Sequence, residues 1–296
     1  MIASIQDILR SWELGPQLIV ASQVAPKVWR VKSGGKVFYL KRRGNTHPWG
    51  PSDELELAAY LNGKGIAVES PLLTRACQPA LRVGEKSYLL YEALEGEPLK
   101  EPTLSSLTAI GAHLSALHVH LDKYPGQSIV SRWEIERHTR QWVDECGHPP
   151  IGKWAREVLL ELKGKMGRYS ELPCQLVHSD LNKGNILMKG GRVTGLIDFE
   201  RVRKAPRIAD IGYFLAGRLK EGNVPASSGS VAAFLKGYEG AGAALTPEER
   251  RLLPYVILTF LLQYTLFYYD RGCFSLGSVL TTIVEDFLGT GVISIK

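Results

Sequence analysis

An α+β chain in two lobes is what the sequence predicts: a small strand-rich lobe, then a large and mainly helical one. Three observations carry this. Lys27 to Arg43 carries aromatic and β-branched residues on both sides of a Ser-Gly-Gly turn, and Arg82 to Glu92 is a second short strand-like stretch. Beyond Glu101 apolar residues recur at three and four, the period of a buried helix face. The change of period falls at Leu94-Glu-Gly-Glu-Pro98, a polar connector. The lobes are therefore drawn at 1–93 and 94–296.

In the first lobe, Lys27 to Arg43 reads as two strands around a Ser33-Gly34-Gly35 turn, a hairpin. Asp53 to Leu61 follows as a helix, with Leu57 and Leu61 on one face, Ser52 or Asp53 as its cap, and Gly63 and Gly65 to stop it. Arg82 to Glu92 reads as a further strand pair. In the second lobe, Leu107, Ile110, Leu114, Leu117 and Leu121 mark one helix, and apolar positions in 152–166 and 250–288 mark others.

Composition excludes more than it selects. A net charge of +6 and a pI near 9.0 favour anionic partners, yet no aromatic-and-basic motif accompanies the charge, so no nucleic acid partner is expected. Cys77, Cys146, Cys174 and Cys273 form no Cys-x-x-Cys pair, which argues against a zinc ribbon or redox dithiol and for reduced thiols. The N-terminus has neither a basic start nor an apolar run of signal-peptide length, so a cytoplasmic location is expected. Residues 252–269 carry no charge and are long enough to span a bilayer, but Pro254, Gln263 and four tyrosines favour a buried helix and no membrane partner. His113, His118 and His120 do not suggest zinc, because two-residue spacing puts His118 and His120 on different faces of a helix.

The chemistry lies in Leu176-Val-His178-Ser-Asp180-Leu-Asn-Lys-Gly-Asn185-Ile-Leu-Met188 and, thirteen positions after Asn185, in Leu196-Ile-Asp198-Phe-Glu200. Phosphoryl transfer needs a group that orients an acceptor hydroxyl and takes its proton, and oxygen ligands for a divalent cation that neutralises the phosphates. Asp180 suits the first task; Asn185 and Asp198 suit the second. The His-x-Asp-x₄-Asn spelling matches a kinase catalytic loop, with Ser179 in place of arginine.

With Leu196-Ile-Asp-Phe-Glu200, this segment resembles the aminoglycoside phosphotransferase and choline kinase-like superfamily. The resemblance implies a bilobal protein-kinase-like fold with ATP between the lobes, Asp180 as catalytic base, and Asn185 and Asp198 as Mg²⁺ ligands. Asp210 fits the aspartate that steadies the loop, and His178 is expected to hold the loop by hydrogen bonds. Lys41, at a strand end, matches the lysine that contacts ATP phosphates and pairs with a helix glutamate. Glu54 is the partner chosen, with Glu56 as competitor. Leu89-Leu-Tyr-Glu-Ala-Leu94 resembles the hinge, where backbone groups of Glu92 and Leu94 would meet the adenine edge. Ser22-Gln-Val-Ala-Pro-Lys27, where protein kinases have a glycine-rich loop, has no glycine.

A small-molecule acceptor is expected, because only eleven residues separate Asp198 from Asp210 and Ala-Pro-Glu is absent. Asp-Phe-Glu lacks the flexible glycine of Asp-Phe-Gly, which suggests constitutive activity. Tyr264, Tyr268 and Tyr269 could cage a quaternary ammonium or belong to the core. The basic run Arg201 to Arg207 disfavours a polycationic aminoglycoside and favours an acceptor bearing carboxylate or phosphate. An inactive scaffold and a protein kinase are the rival expectations, the first opposed by the intact set Lys41, Asp180, Asn185 and Asp198. A monomer or homodimer is expected.

Overall fold

The computed structural model describes residues 4–15, 20–44, 49–220 and 228–290. Its first lobe opens with the short helix α1 (Ile5–Leu9), followed by strands β1 (Val20–Ala25), β2 (Val28–Ser33) and β3 (Lys36–Gly44), helix α2 (Pro51–Gly63), and strands β4 (Leu81–Val83) and β5 (Lys86–Glu92). The strands form one antiparallel sheet in the order β1-β2-β3-β5-β4. The hairpin expected from the sequence is β2–β3: Ser33 pairs with Lys36, and Gly34 and Gly35 both take positive φ, as the two-residue turn requires. β1, which pairs with β2, is a third strand that the sequence reading did not assign.

Side chains alternate across this sheet. Val31, Phe38, Leu40, Tyr88 and Leu90 pack with Ile8, Leu9, Trp12 and Leu14 in one buried cluster, and Trp12 Nε1 donates to the Leu72 carbonyl at 2.9 Å. The period of two then turns Lys41, Arg43, Leu89 and Tyr91 to the opposite face, over α2. α2 is fixed at its start by Pro51 in the first turn and by Asp53, whose carboxylate accepts the Gly50 N–H at 2.8 Å. It buries Glu54, Leu57, Ala58 and Leu61.

The second lobe contains β6 (Glu97–Pro98), α3 (Leu104–Asp122), α4 (Ile135–Asp144), α5 (Pro149–Lys165), β7 (Gln175–Val177), β8 (Ile186–Lys189), β9 (Arg192–Leu196), β10 (Arg203–Ala205), α6 (Ile208–Leu219), α7 (Ser228–Gly240), α8 (Pro247–Asp270) and α9 (Phe274–Thr290). β6, β8 and β9 form a small antiparallel sheet, and β10 pairs antiparallel with β7. α3 and α7 approach at Gly111 and Gly237, where a Cβ would overlap the carbonyl oxygens of Phe234 and Thr108. The uncharged stretch 252–269 lies in α8, which is long and apolar enough to cross a membrane but packs against α4, α5, α6 and α9 and buries Leu252, Val256, Ile257, Phe260, Leu261 and Leu266.

Candidate active site

The segment that follows β7 is held in place by a fully buried carboxylate. Asp210, in the first turn of α6, accepts the backbone N–H of His178 at 2.7 Å and of Ser179 at 2.8 Å, and its Oδ2 also meets His118 Nε2 at 3.2 Å. His118 Nδ1 lies 2.7 Å from the Tyr238 hydroxyl, so α3, α6 and α7 all brace the loop. Ser179 sits at φ +61°, a sparsely populated conformation that these two hydrogen bonds enforce. His178 Nε2 donates to the Ile197 carbonyl at 2.9 Å, and its Nδ1 accepts the Asp180 N–H at 3.3 Å. With these partners the ring proton sits on Nε2 and the lone pair on Nδ1.

Asp180 Oδ1 accepts from the Tyr213 hydroxyl at 2.9 Å and from Asn182 Nδ2 at 3.2 Å. Tyr213 was not singled out in the sequence, although a signal existed: it stands one helical turn after Asp210, on the same face of α6. Burial, then the neighbouring Tyr264 and Asp180, push its phenol well above the ordinary tyrosine value, so it donates rather than ionises. Asn185 Nδ2 donates to the Asp180 carbonyl at 2.8 Å, which leaves Asn185 Oδ1 as the oxygen available to a cation. The Ile197 N–H donates to the Asn185 carbonyl at 3.0 Å and ties the loop to the strand end that bears Asp198.

Asp198 adopts the left-handed conformation, φ +72°. Its Oδ1 lies 3.3 Å from Lys41 Nζ, and this contact joins the lobes. Lys41 in turn lies 2.7 Å from Glu69 Oε1, which also accepts the Asp198 N–H at 2.5 Å. Burial disfavours charge on Lys41, but Glu69 and Asp198 outweigh it and hold the ammonium above the ordinary lysine value. Burial likewise pushes Asp198 up, and Lys41 with Arg43 more than reverses it, leaving the carboxyl below the usual range.

The pairing of Lys41 with Glu54 is corrected here. Glu54 is fully buried against Arg43, with Nη2 to Oε1 at 3.2 Å and a closer Nη1 contact, and accepts the Tyr91 hydroxyl at 2.8 Å. The reason is register: Lys41 and Arg43 share a face of β3 two residues apart, and α2 meets the far position while the segment after it brings Glu69 to the near one. Glu56 is exposed. Arg43 Nε also lies 2.8 Å from Glu200 Oε2, an ion pair to the segment just after Asp198, without hydrogen-bond alignment. No spacing on α2 pointed to Glu69, which lies in an irregular stretch beyond the helix.

Two of the cavities beside these residues flank Asp198 and the loop after β7. One, of about 540 Å³, lies between the lobes and is lined by Val28, Lys41, Glu69, Leu187 and Asp198 together with Glu92, Ala93 and Leu94 of the connector. The Ala93 N–H is engaged by the Val37 carbonyl at 2.9 Å. The other, of about 430 Å³, is lined by Trp133, Ser179, Arg201, Arg203, Tyr213 and Tyr264, among others, and meets the loop after β7 at Ser179 and the adjoining helix α6 at Tyr213. The three C-terminal tyrosines do not form one cage: Tyr264 faces this cavity, whereas Tyr269 packs on His148 and Phe274. The basic run also divides, since Arg207 forms a two-point pair with Glu249 at 2.8 Å.

A family model described as the phosphotransferase enzyme family matches residues 18–255. The chain belongs to that family. Family relatives include homoserine kinase of Neisseria meningitidis serogroup B, 27% identical over 206 residues, covering 68% of this chain and 65% of that protein. Homoserine kinase of Methylobacillus glycogenes is 28% identical over 206 residues, covering 68% and 62%. The matched segment thus spans slightly less than two thirds of these relatives. Among solved structures, an amicoumacin kinase in complex with AMP-PNP and Ca²⁺ superposes with a TM-score of 0.77 at 18% identity, covering 96% of this chain and 94% of that one. A microcompartment-associated aminopropanol kinase gives 0.76 at 18%, covering 96% and 97%. The bilobal kinase-like fold expected for this family member is therefore present, with its antiparallel sheet lobe and helical lobe.

Proposed function

We propose that this chain is a small-molecule kinase that moves the γ-phosphoryl group of ATP to a hydroxyl of an amino alcohol, amino acid-like or sugar-like acceptor. The observation that carries this is the meeting of Lys41 and Asp198 at 3.3 Å beside the interlobe cleft, on a scaffold that also braces Asp180 through Tyr213, which lines a second cavity. Nucleotide in the first cavity and acceptor in the second would present their reacting groups to the loop between them.

Each residue then has a task. Lys41 contacts phosphate oxygens, its charge kept by Glu69. With the Ala93 N–H engaged, backbone groups of Glu92 and Leu94 serve the adenine edge. Asp180, oriented by Tyr213 and Asn182, takes the acceptor proton during in-line transfer, with no covalent enzyme intermediate. An amide oxygen from Asn185 and a carboxylate from Asp198 are the hard donors that Mg²⁺ accepts, alongside water and phosphate. When bound, the cation would neutralise phosphate charge. Among the described residues no cluster of three His, Cys, Asp or Glu offers a richer metal cage, which suits Mg²⁺ held in part by its substrate.

The test is Mg²⁺-dependent ATP consumption across homoserine, aminopropanol, choline, ethanolamine, sugars and aminoglycosides, with Asp180→Asn as control. Turnover with one acceptor that disappears in the control supports the assignment. Equal ATP consumption by the control removes Asp180 from the reaction.

A further inference from the structure

The second cavity is basic and aromatic. Arg201, Arg203 and Lys220 contribute to its lining, with Trp133, Tyr213 and Tyr264, and no aspartate or glutamate is among its lining residues within the described part of the chain. Arg203 is fixed at the backbone by β10, where it pairs with Val177, the residue before His178. Its guanidinium is only partly exposed, and it makes no hydrogen bond or ion pair with any described residue. A half-buried cation without a carboxylate partner is uncommon, because desolvation is then uncompensated.

We propose that this cavity is an acceptor site for hydroxyl compounds bearing a compact oxyanion, a carboxylate or a phosphomonoester, and that Arg203 is the residue that selects them. This rests on the kinase reading of the site and names the acceptor class within it. A guanidinium presents a planar fork that matches either oxyanion in two-point fashion. Burial and then the charge of Arg201 disfavour the protonated form of Arg203, a penalty that a bound anion would relieve. Lys220, with Nζ 4.0 Å from the Tyr264 ring centroid, adds positive charge on another wall. The aromatic residues give an acceptor's carbon skeleton an apolar surface, while a polycation would meet like charge.

Two readouts on the full chain test this. The first is kcat/KM with homoserine and glycerate as carboxylates, glycerol phosphate as phosphomonoester, and aminopropanol and glycerol as counterparts lacking the anion. The second is quenching of tryptophan fluorescence, Trp133 lining the cavity, by the same compounds without ATP. The wild type should favour at least one anionic acceptor over its counterpart by roughly 30- to 100-fold. Arg203→Gln should erase most of that ratio through KM and abolish the quench, and Arg203→Lys should restore part of both. Whichever anionic series shows the effect identifies the oxyanion. Quenching that depends on Arg203 without any phosphorylation would overturn the kinase reading and keep the anion site. Phosphorylation with no preference for an anion, a preference untouched by Arg203→Gln, or no binding by any anionic compound would overturn the proposal.

Discussion

Glu69 Oε1 lies 2.7 Å from Lys41 Nζ and 2.5 Å from the backbone nitrogen of Asp198, so one carboxylate oxygen serves both the cation of the first lobe and the strand end of the second. Glu54 is occupied elsewhere, in a buried bridge to Arg43. The two glutamates should therefore fail differently when neutralised.

Glu69→Gln is expected to weaken ATP binding about tenfold, because a charged hydrogen-bond partner of Lys41 is lost. Glu54→Gln should instead lower stability by about 3 kcal/mol, since it removes the fully buried carboxylate beside Arg43 and leaves only the partly exposed Glu200 to balance that charge. Nucleotide titration and urea denaturation on both variants read this directly. If Glu54→Gln is the variant that impairs nucleotide binding, the assignment of Glu69 to Lys41 is wrong.

Tyr213→Phe removes the hydroxyl that orients Asp180 while keeping the ring against Trp133 and Phe260. Turnover should fall about tenfold, mainly in kcat, with ATP affinity retained. Asp180→Asn should fall further, by about 100-fold or more, the usual range for a lost general base. Equal losses in the two variants would contradict the assignment of base and positioning group.

Asp210→Ala leaves the His178 and Ser179 N–H groups without their acceptor and Ser179 without the bonds that enforce its φ. A loss of about 3 kcal/mol is expected, together with loss of activity. A variant as stable as the parent in thermal denaturation would show that the loop has other support.

Glu249 lies outside the site and offers a pH test. Burial pushes its carboxyl up, but the Arg207 hydrogen bonds and the Thr246 N–H prevail, leaving it below the ordinary value of 4.5. A depressed carboxyl stabilises the fold above its unfolded pKa and loses that contribution as pH falls through the lower folded value. Glu249→Gln should therefore cost about 2 kcal/mol at neutral pH, and the gap from the parent should narrow only below about pH 4.5. A gap independent of pH down to acid unfolding would rule out the ionised pair as its source.

Gly237→Ala places a Cβ against the Thr108 carbonyl oxygen where α3 and α7 meet. The helices would have to separate, at a cost of about 2 kcal/mol. Gly240→Ala, with open space around its Cβ position, should be neutral or slightly stabilising. A Gly237→Ala protein as stable as the parent would mean that the helix pair yields without penalty.

Much of this was legible in the sequence because it is local. The Gly34-Gly35 hairpin, the helix periods of the second lobe and the order of strand-rich and helical segments follow from spacings of a few residues. So does the loop itself, since the bonds among His178, Asp180, Asn182 and Asn185 span five residues or fewer. Lys41, Asp198 and Asp210 stand out in the sequence as members of a recognisable pattern.

Tertiary structure alone decided which carboxylate Lys41 meets, which phenol orients Asp180, and which arginines face the second cavity. These are contacts between elements far apart in the chain: Lys41 and Asp198 are separated by 157 positions, and Tyr213 and Asp180 by 33. Charge and hydrogen-bonding capacity are properties of a residue, and many residues share them. Partner choice is a property of distance, and distance was set by the two-residue alternation of β3, the seating of α2 below it and the packing of α6 behind the loop.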